Sequence, residues 1–222
     1  MRFVLYNGKL MEESTPIFNS SNSSFKYGDG IFETLRVSKQ IILLWNYHYE
    51  RIAKSLELLQ ISFQTNLKQV VHDSILELCS QNDCSVSARV RLAFFREDQA
   101  TPGLLIEATA LNSLSYEWNQ RGWEFDIYTG ASKSKGRLSN LKTANHLPYV
   151  MAGLHAKQKQ LDECLLMSDK GTLADGSRTN VFMIKAQVVY TPPLSAGCVG
   201  GVMRRYVLER LPKLEWKIEE HE

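Results

Sequence analysis

The sequence predicts an α+β protein built as two lobes. Three observations predict it: hairpin and helical patterns alternate through the first third, short apolar runs continue through both halves with no regular strand–helix–strand alternation, and a small polar segment divides the chain near its middle. With neither a sustained repeat nor a run of βαβ units, a doubly wound nucleotide fold is disfavoured. At 222 residues and 44% hydrophobic content, the chain can bury one sizeable core or two smaller ones.

Residues 2–6 and 9–11 flank Asn7-Gly8, the dipeptide that best tolerates the positive φ of a two-residue hairpin turn. A second strand pair is predicted over 30–38 and 41–45, turning at Lys39-Gln40. His48, Ile52, Ser55, Leu56 and Leu59 then recur at helical spacing, as do Val70, Val71, Ile75 and Leu78, which predicts two helices. Residues 86–95 and 104–111 are rich in β-branched and apolar side chains and read as buried strands. The small, polar run that follows reads as a linker. The predicted division is a small N-terminal domain over 1–111, a linker over 112–118 and a C-terminal domain over 119–222.

The second half opens on a strand at 123–128 and a polar loop over 130–140. A helix over 144–160 is predicted to turn Leu147, Met151, Leu154 and Ala152 one way. Short strands are expected at 164–167, 180–185 and 188–190, with a turn at Asp169-Lys170-Gly171. The final helix starts near Gly201 and carries Val202, Tyr206, Val207 and Leu211 inward.

The formal net charge is +2 and no basic run stands out, so neither a nucleic acid nor a membrane is the expected partner, and a small molecule is. The N-terminal apolar run breaks at Asn7-Gly8, too early for a signal peptide, so a cytoplasmic location is expected. Cys79, Cys84, Cys164 and Cys198 lack CxxC spacing and neighbouring His residues, so free buried thiols are expected and a metal site is not.

Three segments carry chemistry: LKTANHLP, LADGSRTNVF and TPPLSAGCVGGVMRR. Together they supply what a pyridoxal phosphate site needs, namely an amine for the aldehyde, an anion for the pyridinium nitrogen and backbone donors for the phosphate. Lys142 precedes a helix and serves as a Schiff-base nucleophile only where its ammonium is desolvated or near other positive charge; by composition alone it reads as one of many surface lysines, and its company raises it. Asp175 can hold a pyridine nitrogen protonated, or simply close an Asp-Gly turn. Gly200 and Gly201 permit a turn that aims N–H groups at an anion where a helix begins, or form a plain loop. Arg51 shares a helix face with His48 and can hold a phosphate through two parallel hydrogen bonds, or be a solvated helix arginine. Arg89 and Arg91 share one face of a strand and Arg96 takes the other, so at least one is expected to reach a polar cavity unless the strand is an exposed edge.

With FKYGDGIFETLRV and HYERIAKSLELL upstream, five motifs stand in the order of the fold-type IV pyridoxal phosphate enzymes, which the chain resembles over almost its whole length. That group holds branched-chain aminotransferases, D-amino acid aminotransferases and aminodeoxychorismate lyases. The resemblance implies a small N-terminal α/β lobe, a larger C-terminal lobe and a homodimer. It implies that Lys142 forms the internal aldimine with pyridoxal 5′-phosphate and shuttles the proton between Cα and C4′. Arg51 and the backbone N–H groups of Val202 and Met203, in the turn at Gly201, would hold the phosphate, and Asp175 would meet the pyridine nitrogen. Tyr27, Phe32 and Glu33 would line the substrate side, with Arg91 or Arg96 for a carboxylate.

The chain departs from the family pattern in three places. Asp175 stands where the family usually has Glu, and Met203 where many members have Thr. Glu222 falls before the further strands of family members, so the second domain is expected to be reduced or to continue beyond this sequence. The expected activity is an aminotransferase acting on an amino acid and a 2-oxo acid. The alternatives are an aminodeoxychorismate lyase releasing pyruvate and a non-catalytic relative of the fold.

Overall fold

The computed structural model describes residues 2–63, 66–98, 101–114, 116 and 118–221 of an α+β chain that divides into two units. Unit 1 comprises Met1–Glu117 and Thr143–Asn145; unit 2 comprises Trp118–Lys142 and His146–Glu222. Positions 115 and 117 of the predicted linker lie outside the described residues.

In unit 1, β1 (Phe3–Tyr6) and β2 (Lys9–Glu12) turn at Asn7 and Gly8, whose φ angles of 48° and 78° are the left-handed values this dipeptide tolerates. A short helix, α1 (Ser23–Tyr27), is capped by Asn22, whose side chain accepts from the Phe25 N–H. β3 (Gly30–Ser38) and β4 (Ile41–Ile42) then turn at Lys39-Gln40. The strand expected to reach residue 45 stops at Ile42. Leu44 adopts a left-handed φ of 54°, and Trp45 opens α2 (Trp45–Leu58). After α3 (Leu67–Gln81), the long strands β5 (Ser87–Arg96) and β6 (Pro102–Ala110) complete an antiparallel sheet in the order β2-β1-β6-β5-β3-β4.

Strand alternation sorts this sheet into two faces. Ala88, Val90, Leu92 and Phe94 of β5 join Ile31, Leu35 and Val37 of β3 in a core closed by Ile52 and Leu56 of α2 and Val71, Ile75 and Leu78 of α3. Glu33 falls in that same apolar row, opposite Leu92. Phe32, Thr34, Arg89 and Arg91 take the opposite face.

Unit 2 holds two three-stranded sheets. β7 (Phe125–Lys133), β8 (Glu163–Ser168) and β9 (Leu173–Gly176) lie in the order β7-β8-β9. β7 and β8 are parallel, and α4 (Leu147–Gln158) crosses between them. Parallel pairing requires such a crossover, so one βαβ unit exists where no regular alternation was expected. The second sheet orders β10 (Met183–Lys185), β11 (Val188–Thr191) and β12 (Lys217–Glu220) in sequence, with β12 parallel to β11. α5 (Val202–Arg210) lies between β11 and β12 in the chain.

Four expectations for unit 2 need correction. β7 continues to Lys133 through residues read as loop, past a register shift between Tyr128 and Lys133 that breaks the period-2 pattern. Residues 173–176 pair with β8 as a strand instead of turning. α4 starts at Leu147, and its buried face is Tyr149, Ala152 and Ala156, whereas Leu147 is 63% exposed and Met151 and Leu154 are also exposed. Apolar residues fall on every side of its first two turns, so periodicity does not choose its face; the two alanines permit close approach to the sheet. On α5, Val202 is buried as expected, but so is Arg204, whose guanidinium donates to the Pro192 carbonyl at 2.8 Å and to Glu220. All four cysteines are free and buried. Among the described residues, no helix is long and apolar enough to cross a membrane.

Candidate active site

Unit 2 places the sequence-predicted carboxylate at the centre of a polar cluster under its first sheet. Asp175, opposite Leu166 in the β8–β9 pairing, is 1% exposed. Its Oδ2 accepts from the Tyr149 hydroxyl at 2.9 Å and from the Val199 N–H at 2.9 Å. Its Oδ1 is buried and has no hydrogen-bond partner among the described residues. A buried carboxylate oxygen without a donor is costly and asks for one. Burial pushes the Asp175 carboxyl above the usual range, against the Val199 N–H, the Lys133 ammonium, the Tyr149 hydroxyl and the Lys142 ammonium, all of which favour the anion. Tyr149 is itself raised by burial and by the Asp175 charge, so it stays protonated and donates.

Lys142 is half-buried, and its charge is felt by both Asp175 and His146. His146 stacks on Tyr149 with ring centroids 4.2 Å apart and planes 18° apart. Burial, then Lys142, then Lys133 push its imidazole down to about 4, so it is neutral at pH 7.

The glycine turn is built from side-chain amides. Asn140 donates to the carbonyls of Leu194 (2.9 Å) and Cys198 (2.7 Å), and its own carbonyl accepts from Gly200 N–H at 2.9 Å. Asn180 donates to the Val199 carbonyl at 2.9 Å. A Cβ on Gly201 would fall 1.9 Å from Asn180 Oδ1, so only glycine fits there without displacing that amide. Gly201 precedes α5 and no side chain caps the helix. The leading N–H groups, those of Val202 and Met203, thus head a helix whose first turn lacks intrahelical acceptors and favours an anion.

Glu163 was not anticipated from sequence. Buried at the start of β8, its Oε1 accepts from Cys164 N–H (2.8 Å), Ser177 N–H (3.1 Å) and the Ser177 hydroxyl, while Oε2 accepts from Thr179 Oγ1 (3.1 Å). It fixes the turn leaving Asp175. Its only sequence signal is an acid heading an apolar run. Tyr149, His146 and Lys133 were missed as well, because each sits in a segment whose pattern describes a helix or loop and no chemistry.

These residues fit pyridoxal phosphate on structural grounds. An orphaned, buried carboxylate oxygen suits a ring N–H, Lys142 supplies an amine within the same electrostatic cluster, and the uncapped α5 terminus suits a phosphate.

In unit 1, Arg51 directs Nε to Glu33 Oε1 and Nη2 to Glu33 Oε2, both at 2.6 Å, and His48 Nδ1 lies 2.8 Å from Oε2. Glu33 was expected on the substrate side. In the structure Glu33 is 1% exposed in the helix-facing row, and both its oxygens are engaged by α2. Arg91 pairs with Glu107 at 2.8 Å and lies 5.3 Å over the Phe32 ring. Arg96 pairs with Asp29 at 2.9 Å and donates to the Leu59 carbonyl at 2.7 Å. Tyr27 ends α1 at 75% exposure.

The amino-transferase class IV family model matches residues 30–222. Among curated proteins, an aminodeoxychorismate lyase of Bacillus subtilis is 26% identical over 215 residues, covering 93% of this chain and 72% of its own. A D-alanine aminotransferase of Bacillus licheniformis is 25% identical over 214 residues, covering 93% and 74%. Among solved structures, the branched-chain amino acid aminotransferase from Escherichia coli superposes with a TM-score of 0.84 at 16% identity, covering 99% of this chain and 76% of that one. The PLP-bound form of a hypothetical aminotransferase from Mycobacterium tuberculosis gives 0.82 at 16% identity, covering 99% and 81%.

Proposed function

We propose that this chain, which belongs to the class IV aminotransferase family, is a pyridoxal 5′-phosphate enzyme that moves an amino group between an amino acid and a 2-oxo acid. The observation that carries the reading is the orphaned, buried Oδ1 of Asp175, whose carboxylate feels the charge of Lys142. When bound, the cofactor supplies an aldehyde to receive the amino group and a ring that accepts the electrons released at the substrate Cα.

The chain's own residues divide the work. Asp175 would hold the ring nitrogen protonated, its buried Oδ1 having no other partner among the described residues and its Oδ2 being fixed by Tyr149 and Val199. Lys142 Nζ would be the amine offered to the aldehyde and the base for the proton at the substrate Cα. The N–H groups of Val202 and Met203 are assigned to the phosphate, where the field of the α5 terminus favours a dianion. Arg51 is assigned to the same anion, its guanidinium oriented by Glu33. Phe32 and Tyr27 are assigned to the substrate side, with Arg91 or Arg96 for its carboxylate. A homodimer and a cytoplasmic location belong to the same reading; four unpaired, buried cysteines support a reducing compartment.

Purified protein should be yellow, and borohydride should fix the label on Lys142. Turnover should require a 2-oxo acid such as 2-oxoglutarate and vanish in Lys142→Ala. Pyruvate release from aminodeoxychorismate with no acceptor would replace the transaminase with a lyase, the activity named for the Bacillus subtilis relative. Colourless protein that takes up no added cofactor would sink both.

A further inference from the structure

We propose that Lys133 is a positioning residue for Asp175: its ammonium, seated on the ring of the tyrosine that donates to Asp175, keeps that carboxylate an anion while a cofactor ring is held against it. This rests on the pyridoxal phosphate reading above and adds to it a residue outside the five family motifs.

The geometry begins in β7. The register of the β7–β8 pairing shifts between Tyr128 and Lys133, and pairing resumes at Lys133 opposite Ser168. Such an irregularity re-aims the side chain that follows it. Lys133 is fixed on its backbone side by the Asp169 N–H, which donates to its carbonyl at 3.1 Å. Its Nζ lies 4.2 Å from the centroid of Tyr149, within the range of a favourable cation–π contact. The hydroxyl of that ring donates to Asp175 Oδ2 at 2.9 Å. Cation, ring and carboxylate therefore form one chain from β7 through α4 to β9.

Asp175 needs such a partner. It is buried, both of its donors converge on one oxygen, and burial raises its pKa. The groups acting on it are the Val199 N–H from the glycine turn, Lys133 from β7, Tyr149 from α4, and Lys142, while Cys198 of the same turn feels its charge. His146, stacked on Tyr149, is neutral. Two of these groups are cations. Lys142 cannot be a permanent one, because the same nitrogen must be unprotonated to attack an aldehyde or accept a proton from Cα. Lys133 has no such duty. Burial lowers its own pKa, and the charge of Asp175 acts back to keep it protonated, so each supports the other's ionised form.

The test uses the full chain, freed of cofactor and titrated with pyridoxal 5′-phosphate by absorbance and tryptophan quenching across a range of pH. Lys133→Met should bind the cofactor about tenfold more weakly at neutral pH and shift the acid limb of its affinity upward by about one pH unit. The sign follows from removing a cation: the Asp175 carboxyl rises further, so it takes up its proton at higher pH. Lys133→Arg should stay within about threefold of wild type. Lys133→Gln serves where the methionine variant does not fold, judged by urea unfolding of each apo form. A folded neutral variant that binds with wild-type affinity and an unshifted limb would overturn the role of Lys133 alone. So would an arginine variant as weak as the neutral ones. Wild-type protein that binds no cofactor and takes no borohydride label at Lys142 would overturn the reading beneath it, and the inference with it.

Discussion

Arg51 grips Glu33 with two nitrogens at once, Nε on one carboxylate oxygen and Nη2 on the other, each at 2.6 Å. The pair explains how a carboxylate survives in the row of Ile31, Leu35 and Val37, and why α2 lies against β3 in one rotation only.

Removing the carboxylate strands the arginine beside an apolar core. Glu33→Ala should lower the unfolding free energy by roughly 3–5 kcal/mol, the usual cost of leaving one member of a buried pair alone, read from urea denaturation. Burial alone would raise the Glu33 carboxyl, but the hydrogen bonds from His48 and Arg51 outweigh it and hold the group below its ordinary value of 4.5. Its folded pKa thus lies below the unfolded one, so the stabilisation is complete above pH 4.5 and is lost as pH falls through the lower folded value. Glu33→Gln should be less stable than wild type at neutral pH, yet lose less stability on acidification.

Asp175 opposes stability to function. Its folded pKa is raised, burial being the main cause, so its ionised form costs stability once pH rises through that value. Asp175→Asn should therefore raise the urea midpoint of the apo protein at neutral pH, while turnover falls on the order of 10²- to 10³-fold, as expected when a group facing developing charge is lost. Both readouts moving down together would mean that Asp175 is a structural residue only.

Much of unit 1 was legible because its patterns are unambiguous. Asn7-Gly8 admits essentially one turn, and the alternation in β5 sorts Arg89 and Arg91 from Val90 and Leu92. The partners of Glu33 are not legible, because a sequence shows only that an acid occurs in a strand, and which face is closed by a helix bearing His48 and Arg51 is a tertiary fact. Unit 2 was harder for local reasons. The irregularity in β7 hides the strand that delivers Lys133, and α4 has no polar face to orient it. Lys142, Asp175 and the turn at Gly201 stand out in the sequence because the chemistry expected of them demands particular residue types. Tyr149 and Glu163 could not, because they act by holding Asp175 and the turn behind it, which leaves no constraint on sequence spacing.

A side chain at Gly201 would have to displace the Asn180 amide. Gly201→Ala would drive a methyl into Asn180 Oδ1 and pull that amide off the Val199 carbonyl, whose own N–H holds Asp175. Overpacking of this kind costs about 1–3 kcal/mol. Cofactor affinity should fall more than overall stability does, because the displaced segment links Asp175 to the first turn of α5. Gly201→Ala with Asn180→Gly, which removes the obstructing amide, should relieve the clash without restoring the lost bond, and titration of both variants with pyridoxal 5′-phosphate separates the two effects.

His146 reports on the same cluster without any cofactor. Its imidazole is pushed down to about 4 by burial, then by Lys142 and Lys133. Protonation therefore belongs to the unfolded chain first: between the ordinary histidine value of 6.5 and about 4, the unfolded state binds the extra proton, and stability falls as pH falls. The C2 proton of His146, assigned by its loss in His146→Gln, should titrate near 4 by NMR, well separated from an unperturbed histidine. Lys133→Met should raise that midpoint, because one of the two cations acting on the ring is gone. A midpoint near 6.5 in the wild-type protein would place His146 in open solvent and dissolve the stacked arrangement with Tyr149 on which the cluster depends.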